Sequence, residues 1–158
     1  MKSNDVTDSI RAPVLALDLG RKRVGVALSD ELSISITRLD AIPRTNWKRL
    51  LRDVENLAQR FDAQTLVIGL PLNLNGSMGD AAILARQTAQ NFARSLKLPV
   101  YLQDERLTSA EAEENLRAAG VRAGEIASRV DSEAAALILR DFLASDSQRI
   151  LVSPHLSE

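Results

Sequence analysis

A chain of 158 residues fits one domain that buries roughly two thirds of its unfolded surface, so its core needs no metal or disulfide support. Cysteine is absent, which excludes a disulfide framework and a thiolate metal site. The net charge of -1 excludes a strongly basic architectural protein, although residues 1–60 hold 11 Lys/Arg against 8 Asp/Glu and residues 61–158 hold 9 against 13. A nucleic acid would have to meet a local basic patch, with salt-sensitive binding.

Residues 1–12 read as a flexible polar leader, since Met1 to Arg11 lacks the apolar stretch of a signal peptide. No apolar run approaches the length needed to cross a bilayer, so a soluble, cytoplasmic protein without membrane contact is expected. Val14-Leu15-Ala16-Leu17-Asp18-Leu19-Gly20 is an apolar strand carrying a single carboxylate. Such a strand belongs inside a sheet covered on both faces, where an unpaired ionised carboxylate costs several kcal/mol. Asp18 therefore needs a partner, which is a protein cation, a backbone donor or a metal ion. The polar turn Arg21-Lys22-Arg23 leads into a second strand to Ser29, and Ile34 to Arg38 alternates apolar and polar residues as a third. Short turns between these runs predict an antiparallel meander, and Gly25 marks a bulge or a close backbone approach.

Pro43 and Thr45 announce a helix with Trp47, Leu50, Leu51, Val54, Leu57, Ala58 and Phe61 on its apolar face. Lys48, Arg49 and Arg52 lie opposite, on a face suited to a phosphate backbone or simply to solvent. Thr65 to Leu70 is a continuous apolar run, expected as a central parallel strand. It ends in Pro71-Leu72-Asn73-Leu74-Asn75-Gly76-Ser77-Met78-Gly79, ahead of a helix from about Met78 to Leu96. A strand-to-helix loop of this kind presents backbone N–H groups to an anion, but it lacks a Walker lysine, and turn residues before a helix explain it as well.

Val100 to Gln103 is the next strand and delivers Asp104-Glu105-Arg106 at its C-terminal end, the edge where ligands of open α/β sheets bind. Thr108 to Glu111 reads as a capping box for a helix ending at Gly120. A last helix spans Asp131 to Leu143, with Asp131 explicable alone as its N-cap. Residues 145–158 are expected as a C-terminal tail, leaving 13–144 as the folded domain.

The order β-β-β-α-β-α-β-α predicts an α/β domain with a mixed five-stranded sheet, three strands antiparallel and then parallel strands, flanked by helices. It resembles the ribonuclease H-like fold, in which Asp18, Glu105 and Asp131 would converge. Clustered carboxylates raise one another's pKa unless a divalent ion neutralises them, and oxygen ligands suit Mg²⁺ or Mn²⁺. Such an ion can activate water and stabilise the leaving oxygen in phosphodiester hydrolysis.

Four segments carry a more specific likeness: Leu17 to Asp30, Gly69-Leu70-Pro71-Leu72-Asn73, Asp104-Glu105-Arg106-Leu107-Thr108 and Asp131-Ser132-Glu133-Ala134-Ala135. In this order they resemble the motifs of the YqgF family, also called RuvX, from about Val14 to Leu143. The resemblance implies a bacterial cytoplasmic nuclease, related in fold to RuvC-type Holliday-junction resolvases and assigned to the 5′ end of 16S ribosomal RNA. It implies Asp18, Glu105 and Asp131 as metal-binding catalytic acids and Lys22, Arg23 and Arg106 as contacts to the scissile backbone. Asn73, Gly76 and Ser77 are expected along the same edge, and Arg21 stands where relatives often have Thr. RuvC-type resolvases place their second acid on the strand corresponding to Thr65 to Leu70; that run holds none here, so Glu105 must supply it.

The expected partner is nucleic acid, pre-16S rRNA ahead of branched DNA, with ribosomal precursor particles as a further candidate. The alternatives are a non-catalytic RNA-binding ribosome-assembly factor and a Holliday-junction resolvase. Actin-like and sugar-kinase ATPases share an Asp before a glycine-containing turn, but they need two lobes, and 158 residues hold one.

Overall fold

The computed structural model describes residues 9–105, 108–120, 123–144 and 149–153. The chain runs β1 (Val14–Leu19), β2 (Arg23–Ser29), β3 (Ile36–Pro43), α1 (Trp47–Arg60), β4 (Thr65–Leu70), α2 (Asp80–Ser95), β5 (Val100–Asp104), α3 (Thr108–Ala118), α4 (Ala123–Ala144) and β6 (Arg149–Leu151). The strands form one sheet in the order β3-β2-β1-β4-β5-β6. β1–β2 and β2–β3 pair antiparallel, β1–β4 and β4–β5 parallel, and β5–β6 antiparallel.

β1 is apolar along most of its length because helices cover both faces of the sheet there. Leu15 and Leu17 pack with Leu50, Val54 and Ala58 of α1 and with Ala85, Ala89 and Phe92 of α2. Val14 and Ala16 point the other way, into a cluster with Ala135, Ile138, Leu139 and Phe142 of α4. α4 is itself covered from outside by α3, through Ala112 against Ala134 and Leu137. That double coverage explains why its C-terminal half reads as apolar all round rather than amphipathic. No helix among the described residues is long and apolar enough to cross a membrane.

The sheet has six strands where five were expected. The added one, Arg149–Leu151, falls in the segment expected as a tail. Three residues with half-exposed or exposed side chains have no periodicity to read, yet Val152 beyond them is buried and its N–H donates to Val100 O at 2.8 Å. β3 begins later than expected and runs on to Pro43, so the chain enters α1 through Asn46, whose Oδ1 accepts from Arg49 N–H at 2.9 Å. α2 starts at Asp80 rather than Met78. α3 ends as expected: Gly120 adopts φ 84° and its N–H donates to Arg117 O at 3.0 Å. The capping-box side chains of Thr108 to Glu111 lie outside the described residues.

The largest correction concerns α4, which starts at Ala123 rather than at Asp131. Asp131 is thus an interior helix position, and its N-cap explanation is removed. Ile126 and Val130 stand at helical spacing ahead of Ala134, but Gly124 among them and the Asp131-Ser132-Glu133 cap pattern masked the earlier turns.

Candidate active site

The first strand sets the level of the site. Asp18 follows Val14 and Ala16 on the α4 side of the sheet, at the C-terminal end of β1, and is only 9% exposed. Gly20 closes the strand, its N–H donating to Arg23 O at 3.0 Å. Across the sheet, Asp104 pairs with Leu70, and Glu105 N–H donates to Leu70 O at 3.1 Å, so the chain bends over β4 as β5 ends. The Glu105 carboxyl then lies over Gly69. A Cβ at Gly69 would sit 2.6 Å from Glu105 Cδ and 2.6 Å from Ile138 Cδ1, so glycine supplies the room for both.

Glu105 and Asp18 are hydrogen-bonded to each other. Two carboxylates cannot both stay ionised at that distance. Burial first, then the charge and hydrogen bond of Asp18, then the charge of Asp104 push the Glu105 carboxyl up to about 10. At neutral pH Glu105 therefore carries the shared proton and donates it to Asp18.

α4 is docked at the same level. Ser132 Oγ accepts from Val26 N–H at 3.4 Å and donates to Leu39 O at 2.7 Å, filling the register shift between Val24 and Val26 where β2 meets β3. Val26 pairs with Leu17, the residue before Asp18. Beside it, Glu133 holds Arg38 of β3 through two hydrogen bonds, Nη2 to Oε2 at 3.0 Å and Nε to Oε1. Asp131 precedes Ala135 by four residues and Ile138 by seven, which puts its position on the sheet-facing stripe of α4. The Asp131 side chain, and all of Arg106, lie outside the described residues. Among the described residues no group of three acids or histidines is arranged to hold a metal ion; Asp18 and Glu105 contribute a pair.

A cleft of about 280 Å³ opens beside the pair. Leu19, Gly20 and Arg21 border it from the end of β1, Asp80, Ala81, Leu84 and Ala85 from the first turns of α2, and Arg44 and Glu105 from the loops between. Lys22 and Arg23 are exposed on the β1–β2 turn. Asn73, Gly76 and Ser77 occupy the loop after β4, on the same edge of the sheet, but do not line the cleft. That loop is bonded to itself: Asn73 Nδ2 donates to Ser77 Oγ at 2.9 Å, Ser77 Oγ to Asn75 Oδ1 at 2.7 Å, and Gly76 takes φ 89°. On α1 the basic face is exposed, with Arg49 paired to Asp53 at 3.5 Å.

A model of the RuvX family, described as Holliday junction resolvase, matches residues 12–145. The chain belongs to the RuvX family. Over 129 residues, 82% of this chain and 94% of the relative, it is 42% identical to a protein of Anaeromyxobacter sp. named "Putative pre-16S rRNA nuclease". A relative of the same name from Trichormus variabilis is 40% identical over 129 residues, 82% of this chain and 85% of its own. Thermus thermophilus RuvC aligns over 89% of this chain and 99% of its own with a TM-score of 0.54 at 14% identity. T. thermophilus RuvC in complex with Holliday junction substrate aligns over 87% and 98% with a TM-score of 0.53 at 15% identity. That likeness establishes a shared ribonuclease H-like fold.

In this RuvX chain, several residues that shape the site were not singled out from sequence. Gly69 had a readable signal, a glycine inside an apolar strand. Ser132 and Glu133 were hidden because Asp131 looked like a helix start, which assigned its neighbours to a first turn. Arg44 was absorbed into the entry to α1. Gly25 sits at the β2–β3 register shift, the bulge that its position suggested.

Proposed function

We propose that this RuvX-family chain is a divalent-metal-dependent endonuclease that hydrolyses a phosphodiester bond of pre-16S rRNA, with Asp18, Glu105 and Asp131 as its metal-binding acids. The observation that carries this reading is the hydrogen-bonded Asp18–Glu105 pair at the C-terminal edge of the parallel strands. The donor set fits a hard cation: both side chains offer only oxygen, and their mutual repulsion is relieved by a proton or by a divalent charge. Mg²⁺ or Mn²⁺ bound there supplies an activated water and charge stabilisation at the leaving oxygen. Asp18 contributes a ligand oxygen directly, whereas Glu105 must first release its proton. Asp131 approaches from α4, whose register against Leu17 is set by Ser132.

Lys22, Arg23 and Arg106 hold the RNA backbone, Arg through paired donors that match phosphate oxygens. Asn73, Gly76 and Ser77 form the neighbouring loop wall. The names carried by relatives 40% and 42% identical favour precursor rRNA over branched DNA. The substrate is met in the cytoplasm, as free precursor or within ribosomal precursor particles. The family description favours a second reading, junction cleavage, which on a two-fold junction requires a dimer.

The test is cleavage of a precursor 16S rRNA fragment and of a four-way DNA junction, in Mg²⁺, in Mn²⁺ and in chelator, by wild type and Asp18→Asn. Metal-dependent cutting of the RNA by wild type, lost in a folded Asp18→Asn that still binds RNA, is the expected result. Cutting of the junction alone selects the resolvase reading. Binding without cutting of either substrate leaves an RNA-binding assembly factor.

A further inference from the structure

Arg44 lies in the two-residue link between β3 and the N-cap of α1, and it fastens the β1–β2 turn at two points. Its backbone N–H donates to Lys22 O at 2.9 Å and its Nη1 donates to Gly20 O at 3.0 Å. The side chain is thereby fixed on the wall of the cleft that Glu105 also borders. A guanidinium has five N–H donors. Gly20 takes one of them, and among the described residues no carboxylate pairs with Arg44. Tying the turn together needs one donor and no charge.

The rest of the cleft tells what the remaining donors are for. Leu19, Pro71, Ala81 and Leu84 give it an apolar wall, and Leu84 is 49% exposed. A volume of about 280 Å³ lies at the lower end of small-ligand pockets, too small for a duplex and adequate for one nucleotide unit. An anchored, half-buried arginine beside an apolar wall suits a phosphate with its base splayed out of any stack.

We propose that Arg44 is a substrate-binding residue that grips, through its remaining guanidinium donors, the phosphate of one unpaired nucleotide seated in this cleft beside Glu105. The proposal rests on the nuclease reading and narrows its substrate to RNA that is single-stranded at the cut. Bidentate phosphate contact explains why arginine rather than a neutral donor bridges to Gly20.

Full-length wild type, Arg44→Gln and Arg44→Lys distinguish these roles, because both variants keep the backbone bond to Lys22 O and only glutamine removes the charge. Binding of a single-stranded precursor rRNA fragment, and of the same fragment annealed to its complement, is measured across salt in chelator; cleavage is measured in Mg²⁺. Arg44→Gln is expected to keep the wild-type unfolding midpoint and to flatten the salt slope on the single strand by about 0.7. Its kcat/KM falls, and Arg44→Lys recovers the slope but only part of the cleavage. An unchanged slope and unchanged cleavage in Arg44→Gln overturn the proposal while leaving the nuclease reading intact. Equal binding and cutting of the annealed duplex overturn the unpaired-nucleotide seat. Wild type that neither binds nor cuts RNA defeats both readings.

Discussion

Glu105 is the residue whose ionisation reports the state of the site. Its carboxyl lies over Gly69, against Ile138 and Asp18, and its folded-state pKa is pushed from 4.5 up to about 10. Between those values the folded protein holds a proton that the unfolded chain has released. The contribution of Glu105 to stability is therefore complete below about pH 4.5 and is lost as pH rises through about 10. In chelator, wild-type stability should fall relative to Glu105→Gln by up to roughly 1.4 kcal/mol per pH unit across that window. Urea unfolding of both proteins at about pH 5 and about pH 8 checks this. The variant should gain on wild type at the higher pH, and parallel pH dependence would remove the proton from Glu105.

At the scale of elements, α4 is docked on the sheet by specific polar contacts. Its small residues let it lie close on β1 and β2, Ser132 plugs the bulge beside Val26, and Glu133 reaches across to Arg38 on the edge strand β3. Glu133 is 7% exposed at its side chain and Arg38 48%, so loss of the arginine leaves a buried carboxylate short of two hydrogen bonds. Arg38→Ala should cost about 1–3 kcal/mol in urea unfolding, with nuclease activity reduced through misplacement of α4. A loss within about 0.5 kcal/mol would show that β3 and α4 hold their register without the pair. These interactions also mark where sequence reading stopped. β1, β4 and β5 were legible because apolar runs bounded by glycine, proline and polar turns leave little choice. The start of α4 was not, since an Asp followed by an apolar run is the same signal whether it begins a helix or lies inside one. The helix face of Asp131 was therefore invisible until the register with Ser132 was known.

For the whole molecule, a mixed sheet between α1 and α2 on one side and α3 and α4 on the other brings Asp18 and Glu105, 87 positions apart, into contact. The likeness to the ribonuclease H-like fold led to the expectation that Asp18, Glu105 and Asp131 meet; the first two are in contact, the Asp131 side chain lies outside the described residues, and the comparison with RuvC shows the same fold. β6 escaped because a three-residue strand is defined by its partner β5 rather than by its own pattern. Asn73, Gly76 and Ser77 were expected on this edge from loop composition; that they bond to one another rather than line the cleft depends on atomic positions no pattern encodes. The near-neutral net charge is compatible with a nucleic-acid enzyme because, among the described residues, Arg21 and Arg44 on the cleft and Lys22 and Arg23 on the adjoining turn come from the basic N-terminal part of the chain.

The account stands most directly on whether Asp18 and Glu105 exchange their shared proton for a divalent ion. Calorimetric titration of Mn²⁺ into the wild-type protein at neutral pH, repeated in buffers of different ionisation enthalpy, counts the protons released on binding. The account predicts saturable binding with release of about one proton, and loss of that binding in Asp18→Asn. Equal Mn²⁺ affinity in wild type and Asp18→Asn, or binding without proton release, would contradict it.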